Sequence, residues 1–250
     1  MSKVVLITGV SSGIGNATAK LFNQEGWHVI GISRTKADRI DGVDHYISAD
    51  VSKIKDLDRV FGEIESEEGR IDSLVNNAAL QICKPVLETS VDEWDAVFNT
   101  NVRSVFYCSK RAHPLMAEKG GSIVNVSSVH AIATSANIAA YAASKGAIKT
   151  LTRNIAIEFA QDKIRVNAVL PGAIDTPMLQ AGLNRVFAND NINILNKASI
   201  IAEKTVLGRI GAANDVATAI LFLADETRSG FIAGQSLIID GGATAKLSTE

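Results

Sequence analysis

Cysteine is scarce in this chain. The two present, Cys83 and Cys108, have no CxxC spacing and no histidine cluster beside them. That argues against a disulfide framework and a zinc site, so no metal is expected, and it suits a reducing cytoplasm. An excess of charge of one sign is missing too. Lys and Arg total 25 against 27 Asp and Glu, a net charge of -2, so neither nucleic acid nor an anionic membrane is expected as a partner. No apolar run reaches membrane length, and the one in MSKVVLITG is too short for a secretory h-region. Repeats, low-complexity tracts and linkers are also lacking. What remains is 250 residues, 46% hydrophobic and 21% charged, enough for one domain spanning 1–250 with a substantial core.

Short β-branched runs alternate with longer helical stretches. Strands are expected at 3–8, 28–33, 45–49, 72–77, 121–128, 164–170 and 235–240, and helices near 13–25, 53–68, 92–118, 141–161 and 213–225. Several strands are apolar at nearly every position, as a sheet covered on both faces requires. The alternation predicts an α/β protein: a single-domain Rossmann fold, a doubly wound seven-stranded parallel sheet with helices on both faces. The long irregular region at about 172–211 reads as a substrate loop or lid, with Leu179, Leu183, Val186, Phe187, Ile192, Ile194 and Leu195 as its apolar side.

The first strand runs into TGVSSGIG, residues 8–15, just before a helix. Gly9, Gly13 and Gly15 let a backbone turn tightly and approach a pyrophosphate seated on the helix amides. The spacing is GxxxGxG, not the commoner GxGxxG, and a tight βα turn with no ligand is the plainer alternative. After the second strand stand Ser33 and Arg34, where an NAD site usually has an acid. A guanidinium there suits a 2′-phosphate, so NADP(H) is favoured over NAD(H); the alternative is a solvated loop charge.

The stretch SSVHAIATSANIAAYAASKG, 127–146, carries the chemistry. Tyr141 and Lys145 are four apart on an expected helix and share a face. A nearby ammonium lowers a phenol's pKa toward a value useful for proton transfer. Ser128, at a strand end, can hold a substrate oxygen beside the phenol. With a nicotinamide on the glycine turn, this is alcohol oxidation or carbonyl reduction.

TGVSSGIG, Asp50-Val51, NNA at 76–78, Asn101 in FNTNVRS, Ser128, YAASK at 141–145 and PGAIDTP at 171–177 together resemble the short-chain dehydrogenase/reductase family over essentially the whole chain. The resemblance implies that Tyr141 is the general acid/base, that Lys145 lowers its pKa and bonds the nicotinamide ribose, and that Ser128 polarises the carbonyl. Asn101 would hold a water linking Lys145 to a proton relay. Cofactor contacts would come from Gly9, Ser11, Ser12, Gly13, Ile14 and Gly15 at the phosphates. Ser33, Arg34, Asp50, Val51, Asn77 and Ala78 would serve the adenosine, and Pro171, Gly172, Ile174 and Thr176, with Tyr141 and Lys145, the nicotinamide. NNAA departs from the family's usual NNAG, which raises the question of whether Ala79 must adopt a positive φ.

The substrate reading is a small alcohol and its carbonyl partner. Gln81, His130 and Gln180 are similar to carboxylate-holding positions of the 3-hydroxybutyrate dehydrogenases, so a 3-hydroxy acid is the alternative. Ile138 and Ala173 stand where that group has lysine and tryptophan. A cofactor-sensing protein with a dead site is a further alternative, although Tyr141 and Lys145 are both present. The halohydrin-dehalogenase branch lacks the glycine turn kept here. The family picture also implies a homotetramer, or a homodimer, built on the helices near 92–118 and 141–161 and on the last strand.

Overall fold

VVLIT is apolar at every position but the last, and such a segment must be covered on both faces. It forms β1, Val4–Thr8, buried throughout. The computed structural model describes residues 2–186 and 194–246. Val4 and Leu6 belong to one core layer, Val5 and Ile7 to the other. That is the period-two alternation of a strand with core on both sides, and each such side chain contributes about 1.5–3 kcal/mol by burial.

Six more strands follow: β2 (His28–Ser33), β3 (His45–Ser48), β4 (Ser73–Asn76), β5 (Gly121–Val126), β6 (Ile164–Pro171) and β7 (Ser236–Ile239). All pair in parallel, in the order β3-β2-β1-β4-β5-β6-β7. This is the seven-stranded, doubly wound sheet expected from the sequence. Helices α1 (Gly13–Gln24), α2 (Ile54–Glu67), α3 (Val91–Phe98), α4 (Ser104–Met116), α5 (Ala139–Glu158), α6 (Pro177–Val186), α7 (Ile194–Ala202) and α8 (Ala213–Ala224) connect the strands. Phe22 of α1 and Val216, Ile220 and Leu221 of α8 fill one layer. Phe61 of α2, Met116 of α4 and Ile155 of α5 fill the other.

Two differences from the expected elements matter for the site. The single helix expected near 92–118 is two helices, α3 and α4, joined by a π-helical turn at Asn99–Arg103. The extra residue in that turn widens it and leaves Asn101 with 0% exposure. The expected lid contains α6 and α7; of its apolar residues, Phe187 and Ile192 lie outside the described residues. Among the described residues, no helix is long and apolar enough to cross a membrane, and no cluster of His, Cys, Asp or Glu can hold a metal ion.

Chain order along the sheet reverses between β1 and β4. Crossovers leave in opposite directions there, so a crevice opens beyond the C-terminal strand ends. The ends of β1, β2, β4, β5 and β6 all reach a cleft of about 1200 Å³ at that place.

Candidate active site

The floor of the cleft is the β1–α1 turn. Gly9 adopts φ +79, and a Cβ there would lie 2.8 Å from Asn77 Nδ2 and 3.0 Å from Ala78 Cα. A Cβ on Gly15 would lie 2.1 Å from the Gly9 carbonyl oxygen. Both glycines are therefore demanded by contacts within the protein itself, which bring α1 down onto the ends of β1 and β4. Asn77 Nδ2 donates to the carbonyls of Thr8 (2.9 Å) and Gly9 (3.1 Å). Thr8 Oγ1 accepts from the amides of Asn77 and Ala78, both at 3.0 Å. The first turn of α1 has no acidic residue and no side-chain cap from Ser12. Its amides and the positive end of its dipole suit an anion.

At one end of the cleft lie Ser33, Arg34, Asp50 and Val51. Tyr46 Oη sits 2.7 Å from Ser33 Oγ and donates to the Thr35 carbonyl at 2.5 Å, which fixes the chain leaving β2. Burial pushes the Asp50 carboxyl up, but hydrogen bonds from the Ser52 hydroxyl and amide and the charges of Arg34 and Lys53 outweigh it. The group is held below its ordinary value. Arg34 is exposed and has no ion-pair partner among the described residues.

In the middle of the cleft stand Ser128, just past β5, and Tyr141 and Lys145 on α5. Their exposures of 6%, 7% and 2% leave all three buried. Lys145 Nζ donates to the Val126 carbonyl at 2.8 Å and lies 5.4 Å from the centre of the Tyr141 ring. Burial pushes the Lys145 ammonium down to about 7. Burial likewise pushes the Tyr141 phenol up to about 12, against the downward pull of the nearby Ser128 hydroxyl, which itself donates to the Pro171 carbonyl at 3.4 Å. Desolvation thus opposes the phenol activation expected from the YxxxK spacing, and here Ser128 is the group that works in its favour. Lys145 in turn becomes a group that changes charge near neutrality.

Asn101 meets this centre from behind. Its Oδ1 accepts from the Leu80 amide at 2.7 Å, and its Nδ2 donates to the Leu80 carbonyl (3.0 Å) and to Ser144 Oγ (2.9 Å). Both amide hydrogens are thereby used. A water linked to this residue has only acceptor atoms of Asn101 to bond.

Of the expected substrate residues, Gln81 and His130 line the cleft. The His130 ring stands edge-on to Tyr141, with centres 6.0 Å apart, and its Nδ1 pairs with Thr134 Oγ1 at 3.2 Å. Burial lowers its pKa, favouring the neutral ring. Gln180 is not among the cleft-lining residues, and its Nε2 donates to Asp175 Oδ1 at 3.2 Å. Pro171, Gly172, Ile174 and Thr176 do line the cleft. Thr176 Oγ1 also accepts from the Leu179 amide at 3.3 Å, capping α6. Ala79 needs no positive φ, since the only non-glycine residues that adopt one among those described are Asn137 and Lys163. Asn137 and Lys204 line the cleft without any sequence motif to mark them.

The cleft fits a nicotinamide dinucleotide. Its glycine turn, its exposed Arg34 and its buried Ser128, Tyr141 and Lys145 line one cleft. Its volume exceeds the roughly 300–1,000 Å³ of ordinary ligand pockets, leaving room for a second small molecule.

The chain matches the family model described as enoyl-(acyl carrier protein) reductase over residues 9–244. It is 37% identical to cyclopentanol dehydrogenase of Comamonas testosteroni over 254 aligned residues, covering 97% of each chain. Among solved structures, it is similar to ligand-free aldohexose dehydrogenase of Thermoplasma acidophilum, with a TM-score of 0.92, 35% identity, and 99% and 96% of the two chains covered. It is also similar to L-sorbose reductase of Gluconobacter frateurii complexed with NADPH and L-sorbose. That match has a TM-score of 0.92, 27% identity and 98% of both chains covered.

Proposed function

The chain belongs to the short-chain dehydrogenase/reductase family, and on that premise we propose that it interconverts a small alcohol and its ketone or aldehyde with Tyr141 as general acid/base. At the coarser level it is an NAD(P)-dependent oxidoreductase acting on CH-OH groups. The observation that carries the finer reading is the shared dry centre of Ser128, Tyr141 and Lys145.

A bound nicotinamide supplies hydride exchange with the substrate carbon. Ser128 Oγ holds the substrate oxygen beside the phenol. Tyr141 Oη then gives that oxygen a proton in reduction, or takes one in oxidation. Lys145, titrating near neutrality, draws the phenol toward its anion whenever it carries charge. The Val126 carbonyl orients the Lys145 amine. Catalytic roles thus fall to Ser128, Tyr141 and Lys145, with Asn101 behind them.

An uncharged substrate is favoured at the catalytic centre. Ile138, buried beside the start of α5, stands where the 3-hydroxybutyrate group has its carboxylate-binding lysine. The relatives named for cyclopentanol, aldohexose and L-sorbose support the same class. The 3-hydroxy acid reading draws on Gln81 and His130 in the cleft wall, without Gln180. For the cofactor, NADP(H) is favoured by Arg34, exposed at the Asp50 end. Exposed Phe106, Ile157, Leu237 and Ile238 on α4, α5 and β7 support assembly into a homotetramer or homodimer, which light scattering tests. The unpaired Cys83 and Cys108 suit a cytoplasmic setting.

The test is a panel of cyclopentanol, 2,3-butanediol, an aldohexose and 3-hydroxybutyrate, with the matching carbonyls, assayed with both cofactors in wild type and Tyr141→Phe. Turnover by wild type and its loss in the variant are expected. Preference for 3-hydroxybutyrate together with a raised KM in His130→Ala would favour the acid reading. NADPH binding with no turnover on any substrate would favour a sensing protein.

A further inference from the structure

Ser144 sits inside α5 with 0% exposure. A serine there is buried at a cost unless its hydroxyl finds partners, and this one finds two. Ser144 Oγ donates to the Tyr141 carbonyl at 2.7 Å and accepts from Asn101 Nδ2 at 2.9 Å. Asn101 in turn holds both backbone groups of Leu80, the neighbour of Gln81 on the cleft wall.

We propose that Ser144 is a positioning residue for the reaction, tying the backbone of Tyr141 to the π turn at Asn101 and, through it, to the loop after β4. The inference rests on the assignment of Tyr141 as the acid/base group.

The polarity of the chain is fixed by its ends. Leu80 N–H must meet an acceptor, so Asn101 presents Oδ1 to it, and the amide nitrogen faces Ser144. The one hydroxyl hydrogen of Ser144 is then left for the carbonyl of Tyr141, three residues back in the same turn. Ser127 bonds the same stretch of helix, donating to the Lys145 carbonyl at 2.8 Å. The turn that bears Tyr141 and Lys145 is thus held from both the π turn and the strand end that carries Ser128. Alanine at 144 keeps the helix, since it has the higher helix propensity, but leaves a buried Asn101 N–H without its partner. What such a change releases is the register of the phenol against Ser128. Ser109 in α4 gives the contrast: it is equally buried, yet its hydroxyl donates only to the Val105 carbonyl of its own helix.

The experiment is steady-state kinetics and a pH–rate profile on the fastest substrate of the panel, for Ser144→Ala, Ser144→Cys, Ser109→Ala and Tyr141→Phe. Ser144→Ala should lose about tenfold in kcat from misplacement of the phenol. Its KM should change by less than about twofold, because the lost interaction is one made in the transition state. Its alkaline inflection should move up as the phenol shifts away from the Ser128 hydroxyl. Ser144→Cys, which keeps a weaker donor and acceptor, should lie between it and wild type. Ser109→Ala should keep both kcat and inflection. Ser144→Ala with wild-type kcat and inflection, or Ser109→Ala matching it, would overturn the proposal. If Ser144→Ala does not fold, Ser144→Cys carries the same two readouts. A Tyr141→Phe variant that turns over like wild type overturns the acid/base assignment itself; an inactive one beside an unaffected Ser144→Ala overturns only the role of Ser144.

Discussion

Lys145 and Arg34 are two cations on the wall of one cleft, and the fold treats them in opposite ways. Lys145 is 2% exposed, bonded to a carbonyl and pushed down to about 7. Arg34 is exposed, stands beside Asp50, and has no ion-pair partner among the described residues. An ammonium gives up its proton when water is withdrawn, whereas a guanidinium keeps its charge and presents a fixed fork of donors. The buried cation in the middle of the cleft can therefore change state during a reaction. The exposed one at the Asp50 end can only recognise a partner. The two differ by their own access to solvent along a single groove.

The sharpest way to break this contrast is to remove each cation in turn. Lys145→Met should lower kcat by about 10²–10⁴-fold, the range of a lost proton-transfer group. Arg34→Met, assayed at saturating cofactor, should leave kcat within about twofold. Equal losses in the two variants would erase the distinction.

Arg34→Ala should instead lower kcat/KM for NADP about 10–100-fold, the equivalent of roughly 1.5–3 kcal/mol for a bond to a charged group. The same ratio for NAD should stay nearly constant. A parallel loss with both cofactors would mean that Arg34 does not read the 2′ position.

Stability against pH distinguishes the same two residues without any substrate. Folded Lys145 releases its proton near 7, whereas the ordinary value is 10.5. Between those limits the unfolded chain binds the extra proton, so this group makes the fold more stable as pH rises from about 7. Relative to Lys145→Met, wild type should gain up to about 1.4 kcal/mol per pH unit across that window in denaturant titrations. Arg34→Met should track wild type throughout.

The smallest expected effect concerns Ser128, whose nearby hydroxyl pulls the Tyr141 phenol below where burial alone would set it. In Ser128→Ala, the residual activity should show its alkaline inflection at higher pH than wild type. A downward shift would mean that Ser128 favours the neutral phenol.

Much of this was legible in the residues. Periods of two and of 3.6 set the strands and helices; TGVSSGIG and PGAIDTP mark strand ends, and YAASK a helix, that do meet at one cleft. Other features were not legible. A continuous helix was expected across 92–118, because a π turn leaves no compositional trace in FNTNVRS. Ala79 raised a question about positive φ that only the backbone could answer. Gln180 resembled a substrate contact, yet on α6 its amide pairs with Asp175. Ser144 lay inside the YAASK motif with nothing to show that Asn101, 43 residues away, would be its partner.

The sequence by itself determined the elements, their parallel winding and the residue types available for proton transfer, since these follow from short-range periodicity and from chemistry carried within a turn or two of chain. The tertiary structure alone decided which of those groups lost their water. Burial sums over segments distant in sequence, and it is burial that sets Lys145 near neutrality while Arg34 is left exposed.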